Sequence, residues 1–87
     1  MNAAEVQSLI QTGLPGAQVR VFSDDDTHFE AVIIAEQFSG KRMIQRHQLV
    51  YATLGPRMGR EIHALSMQVL TPQEAADGEQ GTADGGL

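Results

Sequence analysis

Two short runs of alternating apolar residues, parted by a five-residue acidic turn, restrict this chain more than any other feature. In residues 17–23, Ala17, Val19 and Val21 fall on one side of an extended chain and Gln18, Arg20 and Phe22 on the other. The run His28-Phe29-Glu30-Ala31-Val32-Ile33-Ile34-Ala35 follows after Ser23-Asp24-Asp25-Asp26-Thr27. Short acidic and hydroxyl side chains bond their own backbone and so favour tight turns. Two half-buried strands around so short a connection predict an antiparallel hairpin. A hairpin alone is not stable in water, so the remaining residues must cover its apolar face.

The flanking segments change period. Asn2, with Glu5 three residues on, has the form of a helix cap with a capping box, and Val6, Leu9 and Ile10 then recur at helical spacing. This predicts a first helix over residues 3–12, stopped at Gly13, and a turn at Leu14-Pro15-Gly16. After a loop broken at Gly40, helical spacing returns from Ile44 to Leu54, with Leu49, Val50, Thr53 and Leu54 inward. Pro56 lacks the amide that would bond back to Ala52, so Gly55-Pro56 ends or kinks this helix. Residues 62–70 predict a third strand with His63, Leu65, Met67 and Val69 on one face. Thr71-Pro72-Gln73-Glu74 is a helix start, giving a short last helix. Residues 77–87 are Gly-rich, acidic and unpatterned, and are expected to stay disordered.

The order is α-β-β-α-β-α, a small α+β layer. A helix lies between the second and third strands, so these, if adjacent, are parallel. Helices are expected on one sheet face, leaving the other wetter. With 87 residues there is room for one domain and none for a barrel enzyme or a two-domain cleft. No run of 18 apolar residues and no basic, apolar leader is present, so a cytoplasmic protein without membrane contact is expected.

The chain has no cysteine. Thiol nucleophiles, disulfides and a cluster held by four thiolates of its own are excluded. No G-x-S-x-G and no phosphate-binding glycine loop occurs. Gly13-Leu14-Pro15-Gly16 spells the G-x-x-G of RNA-clamping KH loops, but it carries no cation and is read as a turn. Asp24-Asp25-Asp26 is likewise read as a turn rather than an acid/base pair. Site chemistry therefore falls mainly to His28, His47 and His63. His63 heads the third strand and His28 the second, so parallel neighbours would bring both to one sheet end. A histidine there serves either as a packing residue or as a metal ligand. His47, near the start of the second helix, is read as a packing or capping residue.

Charge is unevenly spread. The formal total is −5, yet residues 41–60 hold Lys41, Arg42, Arg46, Arg57 and Arg60 and no acid. This segment is either a solvated helix face or a docking patch for phosphate, nucleic acid or an acidic partner.

The run Phe38-Ser39-Gly40-Lys41-Arg42-Met43-Ile44-Gln45-Arg46-His47-Gln48-Leu49-Val50-Tyr51 resembles the centre of the BolA-like family, where an aromatic and a glycine precede an Arg-His pair opening an aliphatic helix. Ile62-His63-Ala64-Leu65-Ser66-Met67 with Thr71-Pro72 resembles its last strand and helix start, and Thr27-His28-Phe29-Glu30-Ala31-Val32 its second strand. Together these blocks imply a BolA-like domain over residues 1–76, with residues 77–87 as tail. The resemblance implies a KH-like (class II) fold, a three-stranded mixed sheet covered by helices on one face. It also implies a non-enzymatic adaptor that pairs with a monothiol glutaredoxin and glutathione. The two would share a 2Fe–2S cluster that the chain does not bind alone, in cluster assembly, trafficking or iron regulation. The family histidine at the head of the third strand matches His63, making it the implied ligand. Many members carry a second His or Cys about four residues before the aromatic that is Phe29 here. That slot is Asp25, with His28 the nearest histidine. The family is also linked to DNA binding and transcriptional control, for which Lys41, Arg42, Arg46, His47, Arg57 and Arg60 are the candidate contacts.

Overall fold

The computed structural model describes residues 1–81. Helix α1 (Ala3–Gly13) leads into strands β1 (Gln18–Phe22) and β2 (His28–Ile34), then helix α2 (Met43–Leu54), strand β3 (Ala64–Leu70) and helix α3 (Pro72–Gly81). One-turn 3₁₀ segments, Glu36–Phe38 and Gly55–Arg57, flank α2. The expected order holds. α3 occupies the first residues of the expected acidic tail, and residues 82–87 lie outside the described residues.

Local chemistry sets the element ends. The Asn2 side chain accepts from Glu5 N and the Glu5 carboxylate accepts from Asn2 N, each at 2.9 Å, closing the expected capping box. Gln45 accepts from Arg42 N at the head of α2. Gly55 closes that helix with φ +58° and ψ −137°, a backbone that a side chain would strain.

The sheet order is β1-β2-β3. β1 and β2 pair antiparallel, Gln18 opposite Ile34 and Phe22 opposite Glu30. β2 and β3 pair parallel, His28 opposite Ala64 and Ile34 opposite Leu70. Alternation then decides what is buried. Val19 and Val21, with Phe29, Ala31 and Ile33, face the helices, and Gln18, Arg20, His28 and Glu30 stay exposed. α1 contributes Val6 and Ile10 and α2 contributes Val50 and Leu54. Phe38 and Ile62 enter the same core from the segments flanking α2.

Two details differ from the sequence-based expectation. β3 begins at Ala64 rather than Ile62, because Ile62 bridges to Met58 and is fully buried ahead of the strand. Gly13 does more than stop α1. A Cβ there would lie 2.7 Å from Thr53 Cβ, so the missing side chain lets α1 and α2 approach.

Candidate functional site

The two histidines expected to converge stand at one end of the sheet. His63 immediately precedes β3. Its backbone N–H donates to Thr27 O at 3.2 Å, and its ring is exposed. The buried Ile62 before it, whose N–H donates to Arg57 O, anchors the chain. An exposed imidazole therefore sits on a fixed backbone.

His28 opens β2 opposite Ala64, one position along from His63. The turn before it is built around Asp25. Its Oδ1 accepts from Thr27 N and His28 N, both at 2.9 Å, and its Oδ2 lies 2.8 Å from His28 Nδ1. Ser23 Oγ accepts from Asp26 N and donates to His28 O, and Asp26 takes φ +58° to complete the turn. The His28 backbone amide, then its ring, then the Thr27 amide stabilise the Asp25 charge and hold this carboxyl well below the usual carboxylate range. When Nδ1–H donates to Asp25, Nε2 carries the free lone pair of His28, a pairing common behind metal-bound histidines.

His28 lines a shallow cavity of about 410 Å³ on the outer sheet face with Phe22, Asp24, Asp25, Glu30 and Ser66; His63 is not among its lining residues. The expected phase with Leu65 and Met67 does not hold: His63 donates to Thr27 O on the β2 side and Ile62 before it is fully buried, so the alternation of β3 breaks at His63 and leaves its ring exposed. Among the described residues, no group of three or more His, Cys, Asp or Glu side chains is placed to hold a metal ion.

The basic segment is not one patch. Lys41 and Arg42 are exposed at the head of α2, and Arg57 and Arg60 are exposed beyond its end. Twelve helical residues, about 18 Å, separate the two pairs. Arg46, expected as a surface contact, is instead buried, 7% exposed. Its guanidinium donates to both Glu74 carboxylate oxygens, at 2.6 and 3.1 Å, to Val69 O and to Lys41 O. It also lies 6.0 Å from the centre of the Phe38 ring. A charge taken from water needs such partners, and they commit this arginine to the fold. His47 is half-buried and packs edge-on against Tyr51, ring centres 6.4 Å apart, as a packing histidine does.

Glu74 escaped the sequence reading as more than a helix-start acid. It accepts from Thr71 N, and the Thr71 hydroxyl accepts from Glu74 N, while the same carboxylate grips Arg46. The guanidinium, then the Thr71 amide, lower its pKa to about 2. The Thr71–Glu74 spacing signals the cap; nothing local signals the arginine 28 residues away.

Among the described residues, no helix is long and apolar enough to cross a membrane. Residues 11–74 match the family of BolA-like proteins. The solved structure of a bolA protein homologue from Coxiella burnetii superposes with a TM-score of 0.74 at 40% identity, covering 87% of this chain and 97% of that one. Human BolA-like protein 1 is 36% identical over 55 residues, 63% of this chain and 40% of that protein. The DNA-binding transcriptional regulator BolA of Haemophilus influenzae is 39% identical over 49 residues, 56% of this chain and 48% of that protein. The matches thus span less than half the length of these two relatives, neither of which bears the name of an enzyme. The family match over most of the chain and the agreement in fold lead to one conclusion: the chain belongs to the BolA-like family.

Proposed function

We propose that the chain is a non-enzymatic adaptor that pairs with a monothiol glutaredoxin and completes the coordination of a 2Fe–2S cluster held between them. The observation that carries this reading is His63, an exposed imidazole on a backbone fixed by Ile62 and by the bond to Thr27 O. The chemistry of the donor set fits a shared group. The chain offers imidazole nitrogen and carboxylate oxygen but no cysteine thiolate, so thiolates come from the partner and its glutathione. His63 supplies the nitrogen ligand, and His28, oriented by Asp25, is the second candidate at the same sheet end. When bound, the cluster supplies one-electron chemistry, and a neutral imidazole in place of a thiolate raises its potential. Lys41 and Arg42 are exposed cations suited to the partner or to the carboxylates of glutathione.

The test is anaerobic reconstitution with a monothiol glutaredoxin, glutathione, iron and sulfide, followed by visible absorption and circular dichroism. The mixture is expected to give a spectrum distinct from that of the glutaredoxin alone, and His63→Ala to abolish the difference. If His63→Ala retains the spectrum and stability of the mixed complex, the ligand assignment is wrong.

A second reading is supported by the name of the Haemophilus relative and by four exposed cations, Lys41, Arg42, Arg57 and Arg60. As a DNA binder, the chain would lose affinity with salt at a log–log slope of about −3.6 for four phosphate contacts. Unchanged duplex affinity in the double variant Arg42→Glu, Arg57→Glu would exclude it.

A further inference from the structure

The two edges of the sheet are treated differently. At β1, Arg20 places a charge in the strand and the Gln7 side chain of α1 accepts from Val21 N at 3.2 Å. These are devices that blunt an edge. β3, at the other edge, reads Ala-Leu-Ser-Met-Gln-Val-Leu, with no charge, proline or glycine.

The direction of its free groups follows from the ladder. Leu70 O accepts from Ala35 N on the β2 side, whereas Val69 O, one residue back, receives Arg46 Nη1. Along a strand these directions alternate. The N–H and C=O of Leu65 and Met67 therefore point to the open edge, and their half-buried side chains lie on the helix side.

Above this edge stands an apolar helix flank. Thr53 faces α1 through Gly13. Tyr51, two residues earlier, lies roughly 200° around the helix, on the flank turned away from α1 and toward the β3 side. Ile44, seven residues before Tyr51, shares that flank. Ile44 is 66% and Tyr51 38% exposed.

We infer that this edge is a self-association surface, on which two copies of the chain pair β3 to β3, antiparallel, about a two-fold axis at Ser66. In that register, Leu65 of each copy exchanges both backbone hydrogen bonds with Met67 of the other. The pairing uses only groups that point outward and leaves Val69 O with Arg46. The strand is its own complement. It is neutral, so the net charge of −5 is not concentrated at the junction. The two-fold also sets the Ile44–Tyr51 flanks of both α2 helices over the seam, apolar against apolar. A foreign strand would have to bring its own apolar cover, whereas a second copy carries it. Symmetric pairing closes the assembly as a six-stranded sheet without an open fibre. The inference does not depend on the proposed function.

The register gives a direct test. At the two-fold, Ser66 faces Ser66 in a non-hydrogen-bonded pair with Cα atoms about 4.5 Å apart, within disulfide range. The chain has no cysteine, so Ser66→Cys is a unique thiol. In a glutathione redox buffer it is expected to form a cross-linked dimer about tenfold faster than Ala52→Cys, an exposed α2 control. Sedimentation equilibrium of the unmodified protein is expected to show the mass rising with concentration toward two chains. Ser66→Lys, which sets two ammonium groups face to face, is expected to keep the single-chain mass with an unchanged far-UV spectrum. A single-chain mass of the unmodified protein up to millimolar concentration overturns the inference. So do equal cross-linking rates for the two cysteine variants, or a Ser66→Lys protein that still dimerises.

Discussion

Replacing Gly13 with alanine tests how closely α1 and α2 must pack. The new Cβ would meet Thr53 Cβ at 2.7 Å and Thr53 Cα at 3.4 Å, with the Thr53 methyl nearer still. Carbon atoms in good contact sit about 3.5–4.0 Å apart. The methyl is not free to turn aside, because the Thr53 hydroxyl donates to Val50 O at 2.6 Å and fixes the rotamer. Relief therefore requires either losing that bond, about 1 kcal/mol, or moving the helices apart, about 1–3 kcal/mol. Against this, removing a glycine from the unfolded chain contributes about 0.4–1 kcal/mol. Subtracting this leaves a net loss of up to about 2.6 kcal/mol, centred near 1 kcal/mol, which lowers Tm by about 4–8 °C in a domain of this size. Urea unfolding followed by circular dichroism at fixed pH measures it. Thr53→Ser keeps the hydroxyl and removes the methyl, so in the double variant part of the loss is expected to return, with a coupling of about 0.5–1 kcal/mol. A Gly13→Ala protein as stable as the parent, or more so, would refute the claim that this glycine sets the helix spacing.

Other outcomes follow from the same structure. Phe38 is fully buried, so Phe38→Ala is expected to cost about 3–5 kcal/mol, and thermal melting should show a large part of a small domain's stability gone. Glu74 titrates at about 2 in the folded chain against an ordinary value of 4.5, so its contribution is full above pH 4.5 and is lost as pH falls from 4.5 toward 2. The stability difference between the parent and Glu74→Gln should accordingly shrink across that window in acid titrations. Asp25→Asn retains a side-chain oxygen but not its charge; faster amide exchange is expected at Thr27 and His28, with the core strands unchanged. Asn2→Ala removes a helix cap and is expected to cost about 1 kcal/mol by urea unfolding.

Much of the fold was legible because it is written in neighbouring residues. The two-residue period of β1 and β2 marks which side chains turn inward, the short acidic turn makes their pairing antiparallel, and Asn2 with Glu5 starts α1. Pro56 removes a donor, so the end of α2 was also readable. The candidate site was legible in part. His28 and His63 could be brought to one sheet end by supposing parallel neighbours, and the register does so. That the His63 ring is exposed rather than in line with Leu65 and Met67 depends on where β3 starts. Its start is set by the burial of Ile62 and the bridge to Met58, which no pattern within residues 62–70 reveals.

What the sequence by itself determined is the order of elements, their caps and stops, the apolar face of each strand, and the absence of any thiolate ligand. These follow from backbone sterics and side-chain type over a few residues. Only the tertiary structure decided that Arg46 is a buried tie to Glu74 rather than a surface cation, that α2 splits the basic segment into two distant pairs, and that Gly13 makes room for Thr53. It likewise left β3 with an unguarded edge beneath an apolar helix flank. Each of these is a contact between residues far apart along the chain, and its energy exists only once packing has removed the water between them.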